Sequence, residues 1–153
     1  MKAKTIALTI SLVFVTAAMG FQTDPHIGTW KLNEAKSKFA GKGRNHTVVY
    51  EAAGDQTKVT VDGVDGNGNP VHSEWTGKFD GKEYPATGDA NADARSYRMV
   101  NKNTLTIKGT KGGKTTLTGR IVVSRNGKSR TVTTTTTNAA GKKVTNVAVY
   151  DKQ

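Results

Sequence analysis

The chain of 153 residues contains no cysteine, which excludes disulfide bonds and a lipid anchor attached through cysteine. Aromatic residues make up only 7% of the sequence and hydrophobic residues 35%, which is little for filling a large core. No stretch between the turn signals is long enough to form a packed layer of helices. The sequence therefore favours an all-β fold that is stabilised by its core alone.

Patterns typical of catalysis are also absent. The chain has no thiol, no serine in a nucleophile-elbow pattern, and no histidine with an evident aspartate and serine beside it. Its three histidines, His26, His46 and His72, are too far apart in sequence to indicate a metal site, and we expect them in surface or capping positions. A catalytic pair of carboxylates stays an open alternative, because nothing in the sequence selects one pair among the twelve acidic residues. We predict a protein that is not an enzyme and holds no metal or cofactor.

The N-terminus has the pattern of a secretory signal peptide. Lys2 and Lys4 precede an apolar run over residues 6–18, which is too short to cross a bilayer comfortably and is followed by small residues. Cleavage after Ala18 or after Gly20 would fit the pattern equally well. We therefore expect residues 1–20 to be a signal peptide, residues 21–153 to form one domain, and the protein to be periplasmic or secreted, with no transmembrane segment after cleavage.

The sequence that follows the predicted signal peptide, residues 21–153, is strongly basic. Residues 1–20 hold two of the 23 basic residues and none of the 12 acidic ones, so residues 21–153 carry a formal charge of +9. Dispersed basic charge favours loose attraction to anionic surfaces or polymers, whereas sequence-specific nucleic-acid binding would need a recognition helix or an aromatic platform that the sequence lacks. We expect a monomer, with an anionic envelope surface as a second candidate partner. The densest basic patch consists of Lys36, Lys38, Lys42 and Arg44.

Short alternating segments, separated by turn residues at regular spacing, predict a meander of about ten antiparallel strands. Closing such a sheet removes its free edges, so we predict an up-and-down barrel of 8–10 strands in which the last strand pairs with the first. Gly28, Trp30 and Tyr150 are the predicted closure residues: Gly28 allows close approach and Trp30 is a large plug. The predicted strands cover residues 28–33, 46–53, 57–64, 71–79, 82–87, 94–100, 104–110, 115–124, 129–137 and 142–150.

The interior is predicted to be only partly apolar. On strand 129–137, both faces carry mostly hydroxyl side chains, so the lining is polar there whichever face points inward. Threonine also suits a solvated strand for backbone reasons alone, and that interpretation stays open. Because a barrel of this size can enclose one small molecule, we predict a cavity for a small hydrophobic or amphipathic ligand. The predicted lining residues are Trp75, Phe79, Tyr97, Met99, Leu117 and Arg130.

For three arginines on predicted strands, Arg95, Arg98 and Arg130, the default position is the solvated outer face, where arginine ordinarily lies; Arg130 is nevertheless among the predicted lining residues. An arginine that instead points inward would need an anionic partner, because an unpaired buried charge is costly. Trp75 and Phe79 are likewise open between core packing and ligand contact.

The segment Gly28-Thr29-Trp30-Lys31-Leu32 resembles the opening strand of the calycin barrels, which include the lipocalins and the fatty-acid-binding proteins. The strand count and the hairpin over residues 122–128 resemble the fatty-acid-binding branch. Two further segments, residues 80–88 and 147–153, resemble a group of small exported bacterial proteins of unknown function. The resemblance implies a ligand-binding barrel and assigns no ligand.

Departures from the calycin pattern limit what carries over. The linker at residues 35–45 can hold one helical turn but not the two-helix lid of the fatty-acid-binding proteins. Their Arg-x-Tyr clamp for a carboxylate is replaced by Ala148-x-Tyr150, so free fatty acid is not implied. Lipocalins usually stack a late arginine over the first-strand tryptophan, and Arg120 or Arg130 could do so here.

Overall fold

The computed structural model describes residues 23–138 and 140–153, and the predicted signal peptide at residues 1–20 lies outside this part. Within the described part, no helix has the length and apolarity needed to cross a membrane. The strands are β1 (Gly28–Leu32), β2 (Arg44–Ala53), β3 (Gln56–Val64), β4 (Pro70–Gly77), β5 (Asp80–Thr87), β6 (Ala94–Asn101), β7 (Thr104–Lys111), β8 (Lys114–Val123), β9 (Ser129–Thr137) and β10 (Lys143–Lys152).

The ten strands form a closed antiparallel barrel in which every strand pairs with its neighbours in the chain and β1 pairs with β10. In this closing pair, Trp30 lies opposite Lys152, and Leu32 lies opposite Tyr150. Gly28 has a φ of +129°, a conformation that favours glycine, and an added Cβ there would lie 2.7 Å from Lys152 Cε. The predicted up-and-down barrel and its closure through the terminal strands are confirmed.

The pairing between β4 and β5 is the shortest in the barrel. Only Glu74 with Thr87 and Trp75 with Ala86 are paired across it. Pro85 on β5 has no N–H to donate, which agrees with the short pairing of this strand. Aromatic side chains occupy the rest of this seam, since a Cβ added to Gly77 would lie 2.6 Å from the ring atoms of both Trp75 and Tyr84.

The linker between β1 and β2 holds one short 3-10 helix, Glu34–Lys36, whose first turn is capped by the Asn33 side chain. After it, Lys38 forms an antiparallel bridge with Val147, so the linker continues along the edge of β10. Phe39 then packs against the core, and the guanidinium carbon of Arg44 lies 3.9 Å from the centroid of the Phe39 ring. A linker with one helical turn and no lid is the arrangement that its length predicts.

The two ends of the barrel differ. We call one the sealed end, where residues 24–27 and the turns 101–104 and 124–128 lie. We call the other the threonine end, where β9 finishes at Thr137 and the loop at residues 88–93 lies. Side chains alternate between the interior and the outer wall along each strand. The buried hydrophobic core inside the barrel is formed by Trp30, Val48, Tyr50, Val59, Val61, Trp75, Ala86, Tyr97, Leu105, Ile121, Val123, Ala148 and Tyr150.

Candidate functional site: the barrel interior

The N-terminal turn at residues 24–27 plugs the sealed end. The Ile27 amide donates to the Asp24 carbonyl, and the His26 amide donates to Asp24 Oδ1, at 3.1 and 2.9 Å. Trp30 Nε1 donates to the His26 carbonyl at 2.9 Å, and this bond holds the turn against the first strand. His26 itself is completely buried. The prediction of a surface or capping position for His26 is therefore wrong, because the turn folds back under the barrel and buries the ring.

Arg130 is buried at the sealed end, with 2% of its surface exposed. It faces the interior, on the side where the predicted lining set places it, and not the outer wall where arginine ordinarily lies, because its strand register places it opposite Tyr150 on the inward face. Its guanidinium carbon lies 4.9 Å from the ring centroid of Trp30, 4.7 Å from that of Tyr50 and 5.0 Å from that of Tyr150. Of the two arginines that could stack over Trp30, Arg130 is the one that does, and Arg120 is exposed.

Four nitrogen atoms at this end are buried without a hydrogen-bond partner among the described residues. They are Nε and Nη1 of Arg130 and both ring nitrogens of His26. The pKa of His26 is lowered to about 4, chiefly by burial; Asp24 opposes this shift, and the charges of Arg130 and Lys152 add to it. The imidazole is therefore neutral at physiological pH, and the guanidinium is the buried charge at this end.

We call the rings of Trp30, Tyr50 and Tyr150 around the guanidinium the Arg130 cage. Next to this cage lies a layer of aromatic rings that includes three predicted lining residues. The ring centroids of Trp75 and Tyr97 are 4.6 Å apart. The ring centroid of Phe79 lies 5.9 Å from that of Tyr97 and 6.4 Å from that of Trp75, on which Phe79 is stacked. Tyr50 connects this layer to Arg130, because its ring also lies 6.5 Å from Tyr97. Burial raises the pKa of Tyr50 above its usual range, so its hydroxyl stays protonated.

The interior becomes polar toward the threonine end. Arg130, Val132, Thr134 and Thr136 share the inward face of β9, since Val132 packs against the core and alternate residues follow it. Thr134 is paired with Asn146, and both side chains are half-buried although they face the interior. The predicted hydroxyl lining therefore lies on the Thr134 face.

Leu117 supplies an apolar group to this polar region. It is opposite Thr136 across the β8–β9 pair and is half-buried. Met99, in contrast, lies near the sealed end and has 45% of its surface exposed. The predicted lining set therefore divides into three: Trp75, Phe79 and Tyr97 lie together, Arg130 lies one ring away, and Leu117 and Met99 lie toward opposite ends.

A second inward-facing arginine lies near the threonine end. Arg95 is opposite Gly109 on β7, and only 12% of its side chain is exposed, so its predicted outer-face position is also wrong. Unlike Arg130, it has a carboxylate partner: its Nε donates to Asp89 Oδ2 at 3.0 Å, and its Nη2 contacts the same oxygen. Of the three arginines in question, Arg98 alone is exposed on the outer wall, as predicted.

Two depressions are open to solvent. One, of about 370 Å³, lies on the outer wall beside Arg98 and Lys108. The other, of about 440 Å³, lies outside the N-terminal turn at the sealed end, where Pro25, Met99, Lys102 and Arg125 line it. Both lie outside the interior, so the interior cavity stays a prediction.

Sequence reasoning did not single out His26 or Asp89 as interior groups, and Tyr50 is not in the predicted lining set. Asp89 lies in a loop whose path is set by contacts between residues distant in sequence, so no local pattern marks it. One such contact is the hydrogen bond that Lys111 Nζ donates to the Ala90 carbonyl at 2.5 Å. The alternation along β2 does place Tyr50 with Val48, and both are buried. No local pattern marks His26.

Within the described residues, no group of three histidine, aspartate or glutamate side chains is close enough to hold a metal ion. The exposed His72 pairs with Asp62 at 2.6 Å, and this hydrogen bond raises the pKa of His72. Asp65 binds the backbone amides of Asn67 and Asn69, which makes the segment a turn.

Comparisons with known proteins place the chain only by its architecture. No family model matches it, and no curated protein matches it. Two solved structures are similar in shape, each with 12% sequence identity over 84% of this chain. A redesigned β barrel, mFAP1, bound to DFHBI, is covered over 95% of its length with a TM-score of 0.48. EF1p2_mFAP2b bound to DFHBI is covered over 94% with a TM-score of 0.49. The strand pairing itself shows that the described part of the chain is a closed, ten-stranded antiparallel β-barrel.

Proposed function

We propose that this protein is an exported, non-enzymatic binding protein that holds a small, partly apolar ligand in the barrel interior, entered from the threonine end. One observation carries the proposal. Half-buried hydroxyl and amide groups, Thr134, Thr136 and Asn146, face the same interior as a layer of buried aromatic rings. An interior with one apolar and one wet region matches an amphipathic molecule.

The polarity of this lining is the reason to expect a ligand instead of a filled core. Buried hydroxyls need hydrogen-bond partners, and the inward face of β9 offers threonine where a filled barrel would place leucine or isoleucine. Leu117, beside Thr136, gives an apolar contact in the same region. Export is supported by the basic and apolar pattern of residues 1–20.

Native mass spectrometry of protein purified without detergent tests the proposal, together with uptake of an environment-sensitive lipophilic dye. We expect either a retained small molecule or saturable dye binding. Thr136→Trp should block the interior and reduce dye binding about tenfold or more, which corresponds to at least ~1.4 kcal/mol. The control is Thr135→Trp, whose side chain lies on the outer wall of the same strand. A ligand-free mass with no dye uptake, or equal effects of both variants, would contradict the proposal.

A second function is favoured by the basic patch on the linker. Lys36, Lys38 and Lys42 are all exposed, whereas Arg44 folds back to donate to the Gly41 carbonyl. This patch could bind anionic polymers or lipid head groups of the cell envelope. Such association should fade above a few hundred millimolar salt, roughly where the screening length falls toward 3–5 Å, whereas interior binding should barely respond. Replacing the three lysines with glutamine should abolish it and leave dye binding unchanged.

A further inference from the structure

Charge is divided unevenly between the two halves of the chain. Residues 21–93 contain 8 basic and 11 acidic residues, a formal charge of −3, whereas residues 94–153 contain 13 basic residues and one acidic residue, a formal charge of +12. Because every strand pairs with its neighbours in the chain, these halves form opposite sides of the barrel. We call the side built from β6 to β10 the basic wall. Such asymmetry is typical of proteins that bind polyanions.

On the opposite side of the barrel, basic side chains have acidic partners. Lys58 pairs with Glu74 at 2.8 Å across β3 and β4, and Lys78 pairs with Asp55 at 2.5 Å. These exposed pairs add little to stability, but they cancel charge at the surface. The positive field of the molecule therefore comes from the basic wall.

Two arginines form the centre of the basic wall. Arg98 on β6 lies opposite Thr106 on β7, which in turn lies opposite Arg120 on β8. The Cα atoms of the two arginines are therefore roughly 10 Å apart, since neighbouring strands are spaced by about 4.8 Å. Both arginines are exposed, and neither forms an ion pair with any described residue. We call Arg98, Thr106 and Arg120 the arginine row.

The basic wall cannot neutralise this row with acids of its own. Its single acidic residue, Asp151, accepts a hydrogen bond from Asn33 Nδ2 at 2.7 Å. Lys108, next to the row, is paired at 2.9 Å with Glu83, which comes from the other half of the chain. An external anion is thus the partner that the charge of the arginine row calls for.

A depression of about 370 Å³ adjoins the arginine row on the outer wall. Its lining includes Arg98, Lys108 and three hydroxyl side chains, those of Ser96, Thr106 and Thr118. A guanidinium binds a carboxylate, sulfate or phosphate group through pairs of N–H donors. Hydroxyl side chains both donate and accept hydrogen bonds, as the hydroxyls of a sugar do. The depression therefore offers partners for an acidic group and for the sugar that carries it.

Exposed cations continue from the arginine row toward both ends of the barrel. Lys111 and Lys114 lie at the β7–β8 turn, toward the threonine end. Toward the sealed end lie Lys102, Arg125 and Lys128. Because β7 and β8 have eight and ten residues, this track is roughly 25–35 Å long. A linear polymer can follow a convex wall over that length, whereas a flat surface touches a cylinder only along a line.

The side chains between the cations favour a sugar polymer over nucleic acid or lipid. Single-stranded nucleic acid is held by stacking on exposed aromatic rings, but the two aromatic residues of this half, Tyr97 and Tyr150, are buried. Binding in a membrane interface needs an apolar face, but the exposed large hydrophobic residues, Met99, Val100 and Val122, lie only at the sealed end of the track. The outward positions of β9, in contrast, are threonine from residue 131 to residue 137.

We propose that the basic wall is a binding surface for a linear anionic polysaccharide, whose acidic groups pair with Arg98 and Arg120 and whose hydroxyls bond to the serine and threonine side chains around them. This surface is centred on β6 to β8, on the outside of the barrel, so it is separate from the interior of the proposed function. It is also distinct from the linker lysines, which lie beside β10 through the bridge of Lys38 to Val147.

Dextran sulfate is the probe that tests this proposal, and neutral dextran is its control. By titration calorimetry, we expect saturable binding of dextran sulfate that weakens as salt is added, because binding releases counter-ions from the polymer. By nuclear magnetic resonance, the amide shifts should be largest on β6 to β8 and small on β3 and β4. Equal binding of neutral dextran, or shifts spread evenly around the barrel, would overturn the proposal.

Charge-matched variants separate this surface from the general attraction of a basic protein. Arg98→Gln combined with Arg120→Gln should weaken dextran sulfate binding about tenfold or more, which is a change of ~1.4 kcal/mol. Lys58→Gln combined with Lys78→Gln lowers the net charge equally, on the opposite side, and should change binding less than about twofold. Equal weakening by the two pairs would overturn the proposal. If the arginine pair fails to fold, the shift map of the unaltered protein decides the matter.

Two other polyanions test the assignment to a polysaccharide. Vesicles of phosphatidylglycerol and phosphatidylcholine, and duplex DNA, are compared with dextran sulfate at equal ionic strength. Tighter binding of either one per anionic group, lost in the variant with both arginines replaced, would overturn the assignment. Replacing the three linker lysines should weaken dextran sulfate binding less than replacing the two arginines, and the reverse order would move the site to the linker.

Dye binding inside the barrel provides the internal control. It should be the same in the variant with Arg98→Gln and Arg120→Gln as in the unaltered protein, since both side chains lie on the outer wall. A loss of dye binding in this variant would show that the arginines act on the barrel itself and would overturn the proposal. The failure of this surface and the failure of the proposed function therefore give different results.

Discussion

Two inward-facing arginines at opposite ends of the barrel differ in the groups that surround them. Near the threonine end, Arg95 forms an ion pair with Asp89, and both side chains keep 12–14% of their surface exposed. At the sealed end, Arg130 has three aromatic rings around it and no carboxylate among the described residues.

The two ends therefore differ in how the positive charge of the arginine is stabilised. The Arg95 pair is complete within the chain, so this end needs no further anion. Arg130 is stabilised through its faces and left unsatisfied at its edge, and the neighbouring His26 is forced to stay neutral. At the sealed end, nitrogen atoms of Arg130 and His26 thus lack a partner among the described residues, whereas Arg95 at the threonine end has one. Four comparisons of variants test this contrast.

The largest effect is expected at Trp30. Trp30→Ala removes one ring of the Arg130 cage and the donor that holds the N-terminal turn, so we expect a loss of about 3–5 kcal/mol in the free energy of unfolding. Thr134→Ala, at the wet end, should lose less than about 1 kcal/mol. Urea unfolding measures both. Similar losses in the two variants would mean that the ends do not differ in packing.

The next effect is a pH dependence that belongs to His26. Its pKa is about 4 in the folded protein and 6.5 in the unfolded chain, so the unfolded state binds more protons between these values. Stability should fall as pH decreases from 6.5 to 4, by up to about 3 kcal/mol, with no contribution from His26 above pH 6.5. His26→Phe should remove this part of the curve.

His72 serves as the control for this titration. It is exposed, and its hydrogen bond to Asp62 raises its pKa, so its contribution has the opposite sign and is lost as pH rises. His72→Gln should leave the decline between pH 6.5 and 4 in place. A decline that is identical in His26→Phe and in the unaltered protein would show that His26 is not buried as described.

A smaller effect is expected from the Arg95 pair. Asp89→Asn leaves Arg95 largely buried without its counter-charge, and we expect a loss of about 2 kcal/mol, below the full value for a completely buried pair because both groups retain some exposure. The matched control is Glu83→Gln, whose ion pair with Lys108 is about half exposed and should contribute less than about 1 kcal/mol. Equal losses would remove the distinction between these pairs.

The smallest effect on stability is expected on the inward face of β9. Replacing Thr134 and Thr136 with valine should change the free energy of unfolding by less than about 1 kcal/mol, because water satisfies these hydroxyls. Dye affinity should nevertheless change, since the interior becomes more apolar. The same replacements at Thr131 and Thr133, on the outer wall, should leave dye binding unaltered.

Most of the fold could be predicted from local patterns. Turn residues such as Asn126-Gly127 fix where strands end, and alternation fixes which residues share a face, so all ten strands lie within a few residues of their predicted positions. Closure through β1 and β10 followed from the need to cover two free edges.

The charged interior could not be predicted, because burial of charge is decided by tertiary contacts. Alternation grouped Arg130 with Val132 but did not show which face of β9 points inward. Asp89 reaches Arg95 from a loop with no periodic pattern, and His26 is buried by a turn that no local pattern marks. The general preference of arginine and histidine for the surface gave wrong positions for Arg95 and His26.

The alternating threonines of β9 offer the most direct test of a binding interior at the threonine end. Their methyl groups can be observed by nuclear magnetic resonance while a lipophilic dye is added. We predict saturable shifts of the inward methyls of Thr134 and Thr136, with those of Thr133 and Thr135 on the outer wall nearly unchanged. Shifts confined to the outer methyls, or no saturable shift in either set, would contradict a ligand inside the barrel.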